Sequence, residues 1–241
     1  MAYPPAPMTL LAALLLAVGG AGCLQDWIAP AEATQRTVAC AFLDPAAFTT
    51  VEVTLWAPEG GPGDLAATAL QDALVALTDA TDRPWSTLAV ERRALPDLPG
   101  AGDDNEALLD WSNELDARID GDLLRLDLLW QAHDAPVEGG YVLAPGILVV
   151  DGAAAASAPD TTRAASGLLR HLLGHALGAV NDGVPMQHNH EGAAKHDDDP
   201  DSVMHVSWHQ PAAKPADAPL SYSDAILADW AAAAGPEGVC A

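Results

Sequence analysis

Basic side chains are scarce in this sequence: 10 Lys and Arg stand against 34 Asp and Glu, a formal net charge of −24. That charge repels phosphate backbones and anionic membrane surfaces, which excludes electrostatic capture of nucleic acid and leaves cationic peptides and divalent metals as the natural partners. Charge of either sign is missing from residues 1–22, and the apolar run within them, Leu10–Val18, is too short to span a bilayer; the segment reads as a secretion signal. No internal repeat is visible. The 241 residues, 50% of them hydrophobic, are enough for one well-packed domain and short for two.

Cysteine is limited to Cys23, Cys40 and Cys240. Gly19, Gly20, Ala21 and Gly22 lead into Cys23, and small residues before a cysteine resemble a bacterial lipobox, at which the signal is cut and the new N-terminal thiol lipidated. Two features depart from it: no Lys or Arg opens the segment, and Gly20 stands where Leu is usual. The resemblance implies a lipoprotein-type signal over 1–22, a lipidated Cys23 with a tether over 23–47, and a folded domain over 48–241, carried in a bacterial cell envelope or secreted. With Cys23 set aside for lipid, Cys40 and Cys240 are expected to pair in a disulfide; two reduced thiols are the other reading. The bond would close most of the chain into one loop, worth about 4 to 5 kcal/mol in the chain-entropy model.

Thr49 to Leu55 alternate apolar and polar residues with many β-branched side chains, which predicts a half-buried strand ended by the Gly60-Gly61-Pro62-Gly63 turn. Helical spacing predicts helices over 64–79, capped by Asp64, and over 105–118. Strands are expected near 87–95, 123–130 and 147–151, before a helix whose apolar residues include Leu168, Leu169, Leu172, Leu173 and Leu177 and which Thr161 or Thr162 can cap. The succession predicts an α+β fold, a mixed and mostly parallel sheet with helices packed on it.

Histidine is the one residue type that clusters. His171, His175, His188, His190, His196, His205 and His209 lie within 171–209, and His133 alone lies outside. On one helix His171 and His175 are a turn apart and project from the same face, within reach of one metal ion. The segment His171-Leu172-Leu173-Gly174-His175-Ala176-Leu177-Gly178 resembles the His-Glu-x-x-His-x-x-Gly motif of the metzincin clan of zinc metallopeptidases at every defining position except the glutamate, which is Leu172. The family's third ligand usually lies three residues past the glycine, here Asn181, a poor ligand. His196 and Met204, however, are spaced like the His-x7-Met stretch that joins the third ligand to the Met-turn in matrixins and archaemetzincins, and Ser202-Val203-Met204-His205 resembles that turn.

The resemblance therefore implies a metzincin-like fold with a histidine-bearing active-site helix, Zn2+ held by His171, His175 and His196, a structural Met204 beneath it, and residues 179–195 as an insertion. His188 and His190 in that insertion are rivals for the third ligand. It also implies a cleft-lining edge strand within 141–150 and a C-terminal helix over 221–233. In the family, zinc activates water and the glutamate carries its proton to the leaving amine. Leu172 cannot accept a proton, and general acid–base catalysis contributes about 10²- to 10⁴-fold, so peptide hydrolysis is expected to be impaired or lost. Val206, where many Met-turns have tyrosine, points the same way. Glu191 or Asp182 would have to move in as substitute bases.

Three functions follow: a degenerate zinc metallopeptidase homologue, with a peptide or protein ligand; a non-catalytic peptide- or partner-binding envelope lipoprotein on the same fold; or a lipoprotein that binds divalent metals through its His- and Asp-rich loop. The run Asp197-Asp198-Asp199-Asp201 lacks the glycine and distal glutamate of an EF-hand loop and reads as a solvated acidic loop before a calcium site. The seven tryptophans are scattered, as core or edge packing would have them; Trp208 alone lies near enough to the cluster to line a cleft.

Overall fold

In the computed structural model, residues 32–43, 49–81, 87–95, 105–115, 119–131, 139–144, 146–179, 196–236 and 240 are described. Residues 1–22, read above as a secretion signal, Cys23, His133, and residues 180–195 with Asn181, Asp182, His188, His190 and Glu191 lie outside them.

The alternation in 49–55 builds strand β1 (Thr50–Trp56), with Val51, Val53 and Leu55 buried and Glu52 exposed. Pairing in parallel on both its sides are β2 (Thr87–Arg93) and β4 (Leu123–Gln131), whose first residues also pair with the short antiparallel β3 (Ile119–Asp120). On the far side of β4, β6 (Ile147–Asp151) runs parallel, and β5 (Gly140–Ala144) closes that edge antiparallel, giving the order β2-β1-β4-β6-β5. This is a mixed, mostly parallel sheet in an α+β fold. No helix among the described residues is long and apolar enough to cross a membrane.

Helices α1 (Glu32–Leu43), α2 (Gly61–Thr81), the short α4 (Gly152–Ala156), α5 (Thr161–Ala176) and α6 (Asp224–Ala234) contribute to the main core with the sheet. Its interior includes Val53, Leu70, Leu74, Leu126, Leu168 and Leu172, all essentially inaccessible, and burial on this scale is the main source of folding free energy. A second, smaller core joins α3 (Asn105–Glu114), through Leu108 and Trp111, to Leu129, Tyr141 and Val149. There Trp56 meets Trp111 edge to face at 5.6 Å and donates its indole N–H to the buried Asp127 carboxylate at 2.6 Å.

Several local expectations need correction. Residues 32–43 fall in the expected tether but form α1, with Val38, Ala41 and Phe42 in the core; ordered structure thus begins well before residue 48. Helix α2 starts at Gly61, because proline is accepted in a first helical turn, where its missing N–H costs nothing. Helix α3 stops at Glu114, short of 118. The single edge strand expected within 141–150 is two strands, β5 and β6, and α6 begins at Asp224 rather than 221. The disulfide is present: Cys40 on α1 is bonded to Cys240, with Cα atoms 5.1 Å apart, fastening the two ends of the described fold.

Polar contacts latch α5 to α2. Asp72 accepts from Ser166 Oγ and, at 2.8 Å, from Arg170, whose other guanidinium nitrogen reaches the Leu220 carbonyl at 3.0 Å. Partial burial pulls the Asp72 pKa upward, but the hydrogen bonds from Ser166 and Arg170 and the arginine charge outweigh it and leave it below the usual carboxylate value. A depressed folded-state pKa stabilises the fold above the unfolded value of about 3.9, and that contribution is lost as pH falls through the lowered value. Asp72 is half-exposed, so the gain is limited to about 1 kcal/mol. Asp72→Asn should be less stable than the parent at pH 7, and the gap should close below about pH 4; urea unfolding at several pH values measures it.

Candidate metal centre

Helix α5 owes its start to Asp160, whose carboxylate accepts from the Arg163 backbone N–H at 3.0 Å; the cap is therefore Asp160 and not Thr161 or Thr162. At its other end Gly178 takes a left-handed φ of 69° that a side chain would resist, and the Gly178 and Ala179 N–H groups bond back to the His175 and Gly174 carbonyls. Between these ends His171 and His175 share one face, with ring centroids 4.8 Å apart and Nε2 atoms 3.2 Å apart.

The chain returns to this face at His196. Its ring stacks on His171 at 5.1 Å, tilted by 13°, and meets His175 edge-on at 5.0 Å. One ligand nitrogen from each of the three lies within 4.8 Å of the other two, and all three side chains are buried. Among the described residues this is the only such group of histidine, cysteine or carboxylate side chains.

Surrounding hydrogen bonds set the rings. Nδ1–H of His171 donates to the Val203 carbonyl at 2.8 Å, which turns the Nε2 lone pair toward the other two rings. The backbone N–H of Asp197, next to His196, donates to the Met204 carbonyl at 3.1 Å. Its buried carboxylate accepts from Ser223 Oγ at 2.5 Å, tying the third histidine to the start of α6. Met204 is fully buried in a tight turn, its N–H bonded to Ser202 Oγ at 3.1 Å, and its sulfur occupies the space a Cβ at Gly174 would need. Glycine at 174 thus lets this turn close against the helix between the two histidines.

The donor set fits a metal ion. Three buried imidazoles converge there, with the His171 and His175 Nε2 atoms 3.2 Å apart and one ring nitrogen of each of the three within 4.8 Å of the others, and neutral imidazole nitrogens are metal donors. The 3.2 Å spacing matches the roughly 3.3 Å between ligands of a tetrahedral ion held at about 2.0 to 2.1 Å. Imidazole donors suit zinc, copper, iron or nickel.

Leu172 follows His171 on α5. It is fully buried between α5 and the sheet edge, its Cδ1 close against Gly140 of β5, where φ is 115° and a side chain would collide with the Val149 carbonyl. Val206 opens a 3-10 turn, Val206–His209. His205 caps that turn, its Nδ1 accepting from the Ser207 N–H at 3.2 Å, and stands apart from the metal group. In the acidic run, Asp197 and Asp199 each accept from a backbone N–H two residues on, so their oxygens shape turns. Sequence reasoning missed the carbonyl of Val203 and the hydroxyl of Ser223, because neither residue type signals a role until the fold brings it beside a ligand.

Fold and site together define an α+β domain with a buried three-histidine centre able to bind a metal ion. No protein-family model, curated protein or solved structure matches the chain.

Proposed function

We propose that the chain is an exported metzincin-like zinc metallopeptidase homologue, anchored through a lipidated Cys23, that keeps the metal and has lost most or all peptide hydrolysis. One observation carries the reading: the two helix histidines converge with His196, at the family's distance from Met204, while the residue in the glutamate's position, Leu172, is packed into the apolar core. Zinc, when bound, would supply a Lewis acid for a carbonyl oxygen. On this chain His171, His175 and His196 hold and orient it, and no described side chain beside them is placed to move a proton. Export agrees with the Cys40–Cys240 disulfide, since such bonds persist in oxidising compartments.

A second reading, a non-catalytic peptide- or partner-binding lipoprotein on the same fold, is favoured by the burial of all three histidines, because structural metal sites are closed whereas catalytic ones keep an open position. A loop that merely buffers metal accords poorly with side chains converging in the interior.

The test uses the full chain, with α1 and Cys40 retained. Elemental analysis should find about one zinc per chain, and a broad peptide library should be cut no faster than background. Leu172→Glu, checked by thermal melting because it places a carboxylate in the core, should gain up to about 10²- to 10⁴-fold in cleavage if the degenerate-peptidase reading holds. Zinc bound with Leu172→Glu folded but inert would favour the binding module, and zinc-free protein would overturn the peptidase-homologue reading.

A further inference from the structure

Ser221, Tyr222 and Ser223, consecutive residues ahead of α6, each bond to the chain beside a metal-site histidine, although none belongs to the histidine-rich region. The Ser221 carbonyl accepts from the Val203 N–H at 2.7 Å, and the carbonyl of that same Val203 accepts from Nδ1–H of His171. The Tyr222 hydroxyl donates at 2.8 Å to the carbonyl of Arg170, the residue before His171. Ser223 Oγ donates at 2.5 Å to the carboxylate of Asp197, the residue after His196. The first contact is made by backbone and the second by a ring held in the core. The third depends on a small hydroxyl that could turn elsewhere.

That hydroxyl has a competing use. Ser223 occupies the N-cap of α6 with extended backbone angles, φ −68° and ψ 156°, the position from which a serine oxygen ordinarily accepts from an N–H of its own first turn. The carboxylates of Asp151 and Asp160 do this for α4 and α5, each at 3.0 Å. The Ser223 side chain makes no such bond and is turned to Asp197 instead. Asp197 is buried, its other carboxylate oxygen accepts from the Asp199 N–H at 3.1 Å, and its own N–H donates to the Met204 carbonyl. The serine thus joins the bonds that fix the peptide next to His196. A local preference given up beside a ligand points to a demand of the site rather than of the helix.

We infer that Ser223 is a positioning residue for the metal centre: through Asp197 it holds the His196 segment against the two helix histidines, and it raises metal affinity without touching the ion. The inference rests on the metal-binding part of the function proposed above and not on lipidation or on the loss of hydrolysis.

The test is zinc affinity of the full chain, measured by competition with a chromophoric chelator well below the melting temperature. Ser223→Ala should bind zinc about 10- to 100-fold more weakly than the parent, the usual effect of removing a group that orients a metal ligand. Ser223→Thr, which keeps the hydroxyl, should match the parent. Ser223→Gly also lacks the hydroxyl and is accepted at an N-cap, so it carries the same prediction if the alanine variant fails to fold. A hydroxyl that serves the fold alone would lower the melting temperature of the metal-free chain and leave the affinity of the folded chain unchanged, which would overturn the inference. So would a threonine variant as weak as the alanine one. Parent protein that binds no zinc would remove the metal reading itself, and this inference with it.

Discussion

Replacing His171 or His196 with alanine is expected to reduce bound zinc from about one per chain to nearly none and to remove the stabilisation that metal confers. The two histidines reach the site from different directions, one on α5 and one on the returning chain. A ligand that binds only the folded state at a thousand times its dissociation constant stabilises by about 4 kcal/mol. For a chain of this size each kcal/mol moves the melting temperature by about 2 to 4 °C, so the shift should be of order ten degrees. His205→Ala is the control: His205 only caps a 3-10 turn and should leave zinc content unchanged. Differential scanning calorimetry with elemental analysis reads both quantities, and retention of tight zinc by His171→Ala would contradict the assignment.

Breaking the disulfide should have an effect of similar size. Cys40 and Cys240 are 200 residues apart in sequence, and closing a loop that long is worth about 5 kcal/mol in the chain-entropy model. Set against a typical total stability of about 5 to 15 kcal/mol, its loss is severe. Cys40→Ser, or reduction of the parent, should lower the guanidinium midpoint sharply while zinc content stays near one per chain, because neither cysteine belongs to the histidine group. An unchanged midpoint would show that α1 and the C-terminal end hold without the bond.

Much of this architecture is legible in the chain. Alternation identifies β1 because one face of it is buried and the other is not, and the apolar stripe of α5 identifies the helix that presents His171 and His175. The distance from His196 to Met204 points to the third histidine only through its resemblance to the His-x7-Met stretch, and in the sequence His188 and His190 stand beside it as rivals. Helix α1 is hidden because its sequence is mostly small and polar; Val38 and Phe42 become core residues only through contacts with elements far along the chain. Strand β6 coincides with the apolar run expected at 147–151, whereas β5 is not set apart from it in the sequence because Tyr141, Val142 and Leu143 continue the same hydrophobic character. The direction of Leu172 is likewise set by tertiary packing: glycine at position 140 allows β5 to approach the helix, and the side chain fills the contact.

The central claim, one metal held by three imidazoles, is tested most directly by zinc K-edge X-ray absorption of the loaded full chain. The account predicts a nitrogen and oxygen first shell at about 2.0 to 2.1 Å, with outer-shell scattering from three imidazole rings that falls to two in His196→Ala wherever residual metal remains. A sulfur shell, an all-oxygen shell without imidazole scattering, or a spectrum unchanged by His196→Ala would contradict it.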